Sequence, residues 1–196
     1  MLNTKALTEL LSLNTDERLC KRWYLMTPSG TLLASSQPTD AKELRKQVAF
    51  ATLSWQEHLS GEELAEHGQA QQRGPDRDVQ TLSIETEAIN VVVRKLQPHL
   101  LLVLEGGVPP RKRSFMPRTT AEGRNGELLQ PARTAESSLA ASLSSQIDLN
   151  VTTAPSSVLA LHKKKLEAMA AAILADFERT GFKMPGEDET NETGLF

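Results

Sequence analysis

Apolar and polar positions alternate along the chain in two periods, one helical and one extended. Residues 4–13 (TKALTELLSL) place Ala6, Leu7, Leu10, Leu11 and Leu13 at helical spacing, with Thr4 available to cap and Asn14 to stop the helix. Two β-prone runs, Arg22–Thr27 and Thr31–Ser36, flank Pro28-Ser29-Gly30, which predicts a hairpin with Gly30 at positive φ. Thr39 or Asp40 then caps a long helix ending near Leu59, before Ser60-Gly61. At 100° per residue its inward face is Leu44, Val48, Ala51, Thr52, Trp55 and Leu59. Residues 61–78 are polar and read as an exposed loop.

Three strands follow: Val79–Thr86, Ile89–Leu96 and His99–Glu105. The run Leu100-Leu101-Leu102-Val103-Leu104 is apolar on both faces, so it belongs in mid-sheet between two helical layers. Short connections make the sheet antiparallel. Residues 106–157 change character: 22 of these positions are Ser, Thr, Pro or Gly, and Phe115 is the sole aromatic. Such a stretch cannot build its own core and is expected to be a flexible insertion, with a short helix at most around Leu139, Leu143 and Ile147. A last helix runs over 158–181 with Leu159, Leu166, Met169, Ile173 and Phe177 as its stripe. The acidic tail, 182–196, is expected to be disordered. The fold class is therefore α+β, one antiparallel sheet with helices on both faces. Its core is 1–105 completed by the 158–181 helix.

The formal net charge of −3 carries no basic surplus of the kind a nucleic-acid binder uses. No apolar run is long enough to span a bilayer, so direct membrane insertion is not expected. The single cysteine, Cys20, cannot form an internal disulfide. His58, His67, His99 and His162 lie near no nucleophile motif, and one Cys with scattered His does not supply zinc spacing. Gly106-Gly107 follows a strand but lacks the Lys-Ser/Thr of a phosphate loop. No catalytic residue, cofactor or metal is expected. Arg111-Lys112-Arg113 before Ser114 makes Ser114 a candidate phosphorylation site, against the commoner reading of a solvated charge run.

The informative feature is the second side of the middle helix. Phe50 and Leu53 lie there among Glu43, Lys46 and Glu57, away from the face that packs on the sheet. Two large apolar residues on an outward face predict contact with another chain, although isolated exposed apolar residues are common.

The opening MLNTKALTELLS, the segment GTLLASS, Trp55 within the middle helix and the run INVVVRKLQPHLLLVLEG together resemble the roadblock/LC7 superfamily. More narrowly, they resemble the small roadblock subunits of Ragulator and fungal EGO-type complexes. The resemblance covers 1–105 and the final helix. It implies a five-stranded antiparallel sheet, with the middle helix on one face and the terminal helices on the other. It also implies a heterodimer with a second roadblock-domain subunit, joined through the middle helix and the edge strand after it. Here those are residues 43–57 and 79–86, giving Glu43, Lys46, Phe50, Leu53, Glu57, Val79, Thr81, Ser83 and Glu85 as interface residues. The implied role is a non-enzymatic scaffold that helps recruit Rag-type GTPases for nutrient and MAP-kinase signalling. A lipidated tethering subunit would hold it on the cytoplasmic face of the late endosome, lysosome or vacuole. A homodimeric dynein-type roadblock light chain is the alternative within the superfamily, and a small enzyme using Cys20 or a histidine is the remote one. The long insertion and the acidic tail depart from the pattern.

Overall fold

A computed structural model of the chain describes residues 2–38, 40–60, 79–109, 117–129 and 157–185. The elements are α1 (Thr4–Leu13), β1 (Cys20–Met26), β2 (Leu32–Ser35), α2 (Ala41–Ser60), β3 (Thr81–Glu85), β4 (Ile89–Gln97), β5 (Leu100–Gly107), β6 (Arg118–Glu122), β7 (Leu128–Leu129) and α3 (Ser157–Thr180). All strands join one antiparallel sheet in the order β2-β1-β5-β4-β3-β6-β7.

Every residue of β5 is buried, as its two apolar faces require. On one face α1 and α3 pack Leu7, Leu11, Leu159, Leu166, Met169, Ile173 and Phe177 against Trp23, Leu25, Val92, Leu100, Leu102 and Leu104. On the other, α2 packs Leu44, Val48, Ala51 and Trp55 against Tyr24, Met26, Leu82, Ile84, Val91, Val93, Leu101 and Val103. The middle helix on one face and the terminal helices on the other is the arrangement the resemblance implies.

Local chemistry sets the element ends. Asn3, rather than Thr4, caps α1: its Oδ1 accepts from the Ala6 amide at 3.1 Å. Asp40 caps α2, with Oδ1 accepting from the Lys42 amide at 2.9 Å. Gly30 takes φ +88°, a conformation that favours glycine, and a Cβ there would lie 2.9 Å from Thr52 Oγ1 and push on that hydroxyl. Leu59, expected inside, is 44% exposed.

Among the described residues the sheet has seven strands, not five. The two extra strands, β6 and β7, come from the stretch expected to be a flexible insertion. β6 pairs along all of β3, from Thr81↔Glu122 to Glu85↔Arg118. The turn to β7 closes through the Gly123 amide on the Glu127 carbonyl at 3.0 Å, with Gly126 at φ +75°. The strands form because a neighbouring strand supplies hydrogen bonds that local composition does not advertise. Residues 110–116 and 130–156, with Leu139, Leu143 and Ile147, lie outside the described residues. Residues 182–185, expected to belong to the disordered tail, pack against the domain. The Phe182 ring stacks tilted on Phe177 at 4.8 Å, and the Met184 amide bonds Gln97 Oε1 at 3.2 Å. Residues 186–196 lie outside the described residues.

Trp55 is 2% exposed and is the largest side chain that α2 contributes to its core. Trp55→Ala is expected to lower the stability of the isolated chain by about 3–5 kcal/mol. Urea denaturation checks this, and a change under ~1 kcal/mol would place Trp55 outside the folding core.

Candidate functional site

The expected interface residues divide into two groups. On α2, Leu53 is 67% and Phe50 40% exposed, beside exposed Lys46 and Glu57. Glu43 is half-buried: its Oε1 accepts from Gln47 Nε2 at 3.0 Å, and its other oxygen pairs with Lys46 at 3.6 Å. The exposed ion pair orders the helix surface while adding little stability. Lys42, Arg45, Lys46 and Ala49 complete an outward strip with a basic N-terminal half and an apolar middle. The helix is thus apolar on two sides, one spent on the core and one open.

The second group is not at a free edge. Val79, Thr81, Ser83 and Glu85 are all buried, between 1% and 5% exposed. Val79 packs into the α2-side core, and β6 covers the strand edge that was expected to be open. Glu85 is ion-paired with Arg118, and at the other end of β6 Glu122 pairs with Lys163 of α3. Neither clamp was read from the sequence. The β-prone Thr119-Thr120 before the Gly123–Gly126 turn was the available signal, and 33 residues separate Glu85 from Arg118.

Beneath α2, Arg22 Nη1 donates to Glu105 at 3.0 Å, and Tyr24 Oη donates to the Gln47 carbonyl at 3.4 Å. Burial raises the Glu105 carboxyl above its ordinary range even though Arg22 opposes the shift and Glu43 adds to it. Burial likewise raises the Tyr24 hydroxyl. The Tyr24 bond ties α2 to β1, and the Arg22–Glu105 pair ties β1 to β5.

His162 is fully buried on the α3 stripe. Its Nδ1 lies 3.3 Å from Asn90 Nδ2, and its ring covers Gly106, where a Cβ would fall 2.3 Å from the ring. A glycine at 106 leaves the space that the imidazole occupies. Burial lowers its pKa, which the Leu19 carbonyl opposes and Lys165 reinforces.

Cys20 is buried, and burial raises its thiol pKa, which is the opposite of what a nucleophilic cysteine needs. His58 Nδ1 lies 2.8 Å from the Ser54 carbonyl within its own helix. His99 is exposed at the β4–β5 turn. His67 and Ser114 lie outside the described residues. Among the described residues no group of three or more His, Cys, Asp or Glu is placed to hold a metal. No described helix is long and apolar enough to cross a membrane.

The chain is an α+β domain whose antiparallel sheet lies between helical layers, with an open apolar strip on the middle helix. No family model matches the sequence, and no curated relative does. Among solved structures, it is similar to a roadblock/LC7 domain from Streptomyces avermitilis, at 16% identity and TM-score 0.38, over 52% of this chain and 76% of that one. It is also similar to MglB in a tetrameric arrangement, at 14% identity and TM-score 0.39, over 55% of this chain and 75% of that one.

The buried imidazole generates a pH prediction. A base whose folded pKa is depressed is neutral in the fold while the unfolded chain still takes up a proton. Its stability contribution is complete above about pH 6.5 and declines as pH falls through the lowered folded value. Wild type is expected to lose more stability than His162→Gln between pH 7.5 and 5.5 in urea titrations. Equal losses in the two proteins would show that His162 does not titrate as a buried group.

Proposed function

We propose that this chain is a roadblock/LC7-type adaptor that works by pairing with a second roadblock-domain subunit rather than by catalysis. One observation carries the reading: α2 buries Leu44, Val48, Ala51 and Trp55 against its own sheet and still presents Phe50 and Leu53 outward. A surface helix needs one apolar face, and a second is accounted for by a second packing partner. The three-layer architecture and the N-terminal residues cited above support the assignment to this superfamily.

The finer reading is a scaffold subunit of a Ragulator/EGO-type complex. In it, the paired domains help recruit Rag-type GTPases for TORC1 and MAP-kinase signalling at the late endosome, lysosome or vacuole. A lipidated tethering subunit supplies the membrane contact. The interface lies on Lys46, Phe50, Leu53 and Glu57, with Glu43 at its margin.

Affinity capture of the full chain tests the pairing. A second roadblock-type subunit and Rag-type GTPases are expected in the eluate, and their absence would sink the complex assignment. Phe50→Asp with Leu53→Asp should cost about 2–5 kcal/mol of pairing, because each carboxylate would lose its water without gaining a partner. Denaturation of the isolated variant should match wild type, since both residues are exposed there. Unchanged affinity in calorimetry would move the interface elsewhere. Location follows the same logic: removing the tethering subunit should shift the chain to the cytosol, and the purified chain should not float with liposomes. Retention on the membrane would require a lipid contact of its own.

A further inference from the structure

The β3 edge is closed by the chain's own hairpin, and the closure is held in an uneven way. β6 pairs with β3 at five successive positions, Thr81–Glu85 against Glu122–Arg118. Yet Ala121 is the one apolar side chain of β6 in the core, and β7 adds partly buried Leu129. The other neighbour of β3, β4, brings Val91, Val92 and Val93, all fully buried. Beyond its backbone bonds, β6 is held by the Arg118–Glu85 and Lys163–Glu122 ion pairs, one near each end.

Beneath β6, β3 is complementary to itself. An antiparallel register centred on Ser83 sets Leu82 against Ile84 on the α2 face and Thr81 against Glu85 on the other, with no like charges opposed. It also sets Ser83 opposite Ser83 of a second copy. The Ser83 hydroxyl is buried and has no hydrogen-bond partner among the described residues, and a facing serine would supply one. An uncovered strand of this kind is a template for pairing with another chain. In a two-fold arrangement the same patch serves both subunits.

We propose that β6–β7 is a built-in edge cap that keeps β3 from pairing with β3 of a second copy of this chain. Arg118 and Glu122 are its two electrostatic latches. The cap deepens the pairing reading above, because it suppresses self-pairing and leaves α2 to a different subunit.

The test uses the full chain. Arg118→Glu with Glu122→Lys sets like charges against Glu85 and Lys163. At low protein concentration, amide exchange over 79–86 should speed at least tenfold relative to wild type, with β1 and β5 unchanged. Raising the concentration should restore protection, and sedimentation equilibrium should show self-association at least tenfold tighter than wild type. Unchanged β3 exchange would overturn the latch assignment. Faster exchange without concentration-dependent recovery would overturn self-pairing. If the charge swap also loosens β1 and β5, replacing 117–129 with a Gly/Ser linker of equal length decides by the same two readouts. Phe50→Asp and Leu53→Asp leave β3 exchange in the dilute chain untouched, so failure of the cap is distinguishable from failure of the α2 interface.

Discussion

A strand that is apolar on both faces cannot meet water on either, and β5 is such a strand from Leu100 through Leu104. That requirement organises the molecule. Leu100, Leu102 and Leu104 call for the α1–α3 layer, and Leu101 and Val103 call for α2. Antiparallel pairing on both sides satisfies its backbone, with β1 across one edge and β4 across the other. The terminal helices are far apart in sequence and share one face because the central strand needs them there.

The two faces differ in how they end. On the α2 side the core is apolar from Met26 across to Ala121, with the Arg22–Glu105 pair as its polar end on β1 and β5. On the α3 side, β1 and β5 supply leucines and β4 supplies Val92, but β4, β3 and β6 also supply Asn90, Glu85, Thr81, Arg94, Arg118 and Glu122. α3 meets this half with His162, Lys163 and Glu167. Pairing each buried charge avoids the cost of desolvating it alone. The arrangement fixes the register of α3 on the sheet, because a leucine stripe could slide where a set of specific partners cannot.

Legibility in the sequence followed range of interaction. The β5 run, the three helical stripes and the Pro28–Gly30 hairpin were readable because period and turn chemistry are local. Phe50 and Leu53 were placed outward correctly, since helix phase alone settles it. β6 was missed because Arg118–Glu122 acquires strand character from β3, more than 30 residues earlier, within a stretch poor in apolar residues. The free edge was wrong for the same reason: Val79, Thr81, Ser83 and Glu85 alternate as an edge strand would, and nothing local announces a cover. The burial of His162 was not legible, because one histidine within a lysine-rich turn looks solvated. Gly106 supplies the missing context, across the sheet from its helix.

Glu85 links the β6–β7 hairpin to the rest of the domain. A carboxylate 1% exposed beneath a covering strand is costly unless a cation meets it, and Arg118 of β6 supplies that cation. The hairpin is therefore part of the domain rather than an ornament in a loop. Long insertions add little closure entropy, so the chain beyond the β6–β7 hairpin can lengthen without disturbing the latch. The sheet edge and α2 are then free to play different parts: the edge is held shut by charge, and the helix presents its apolar strip outward. A domain built this way separates what it must not bind from what it can.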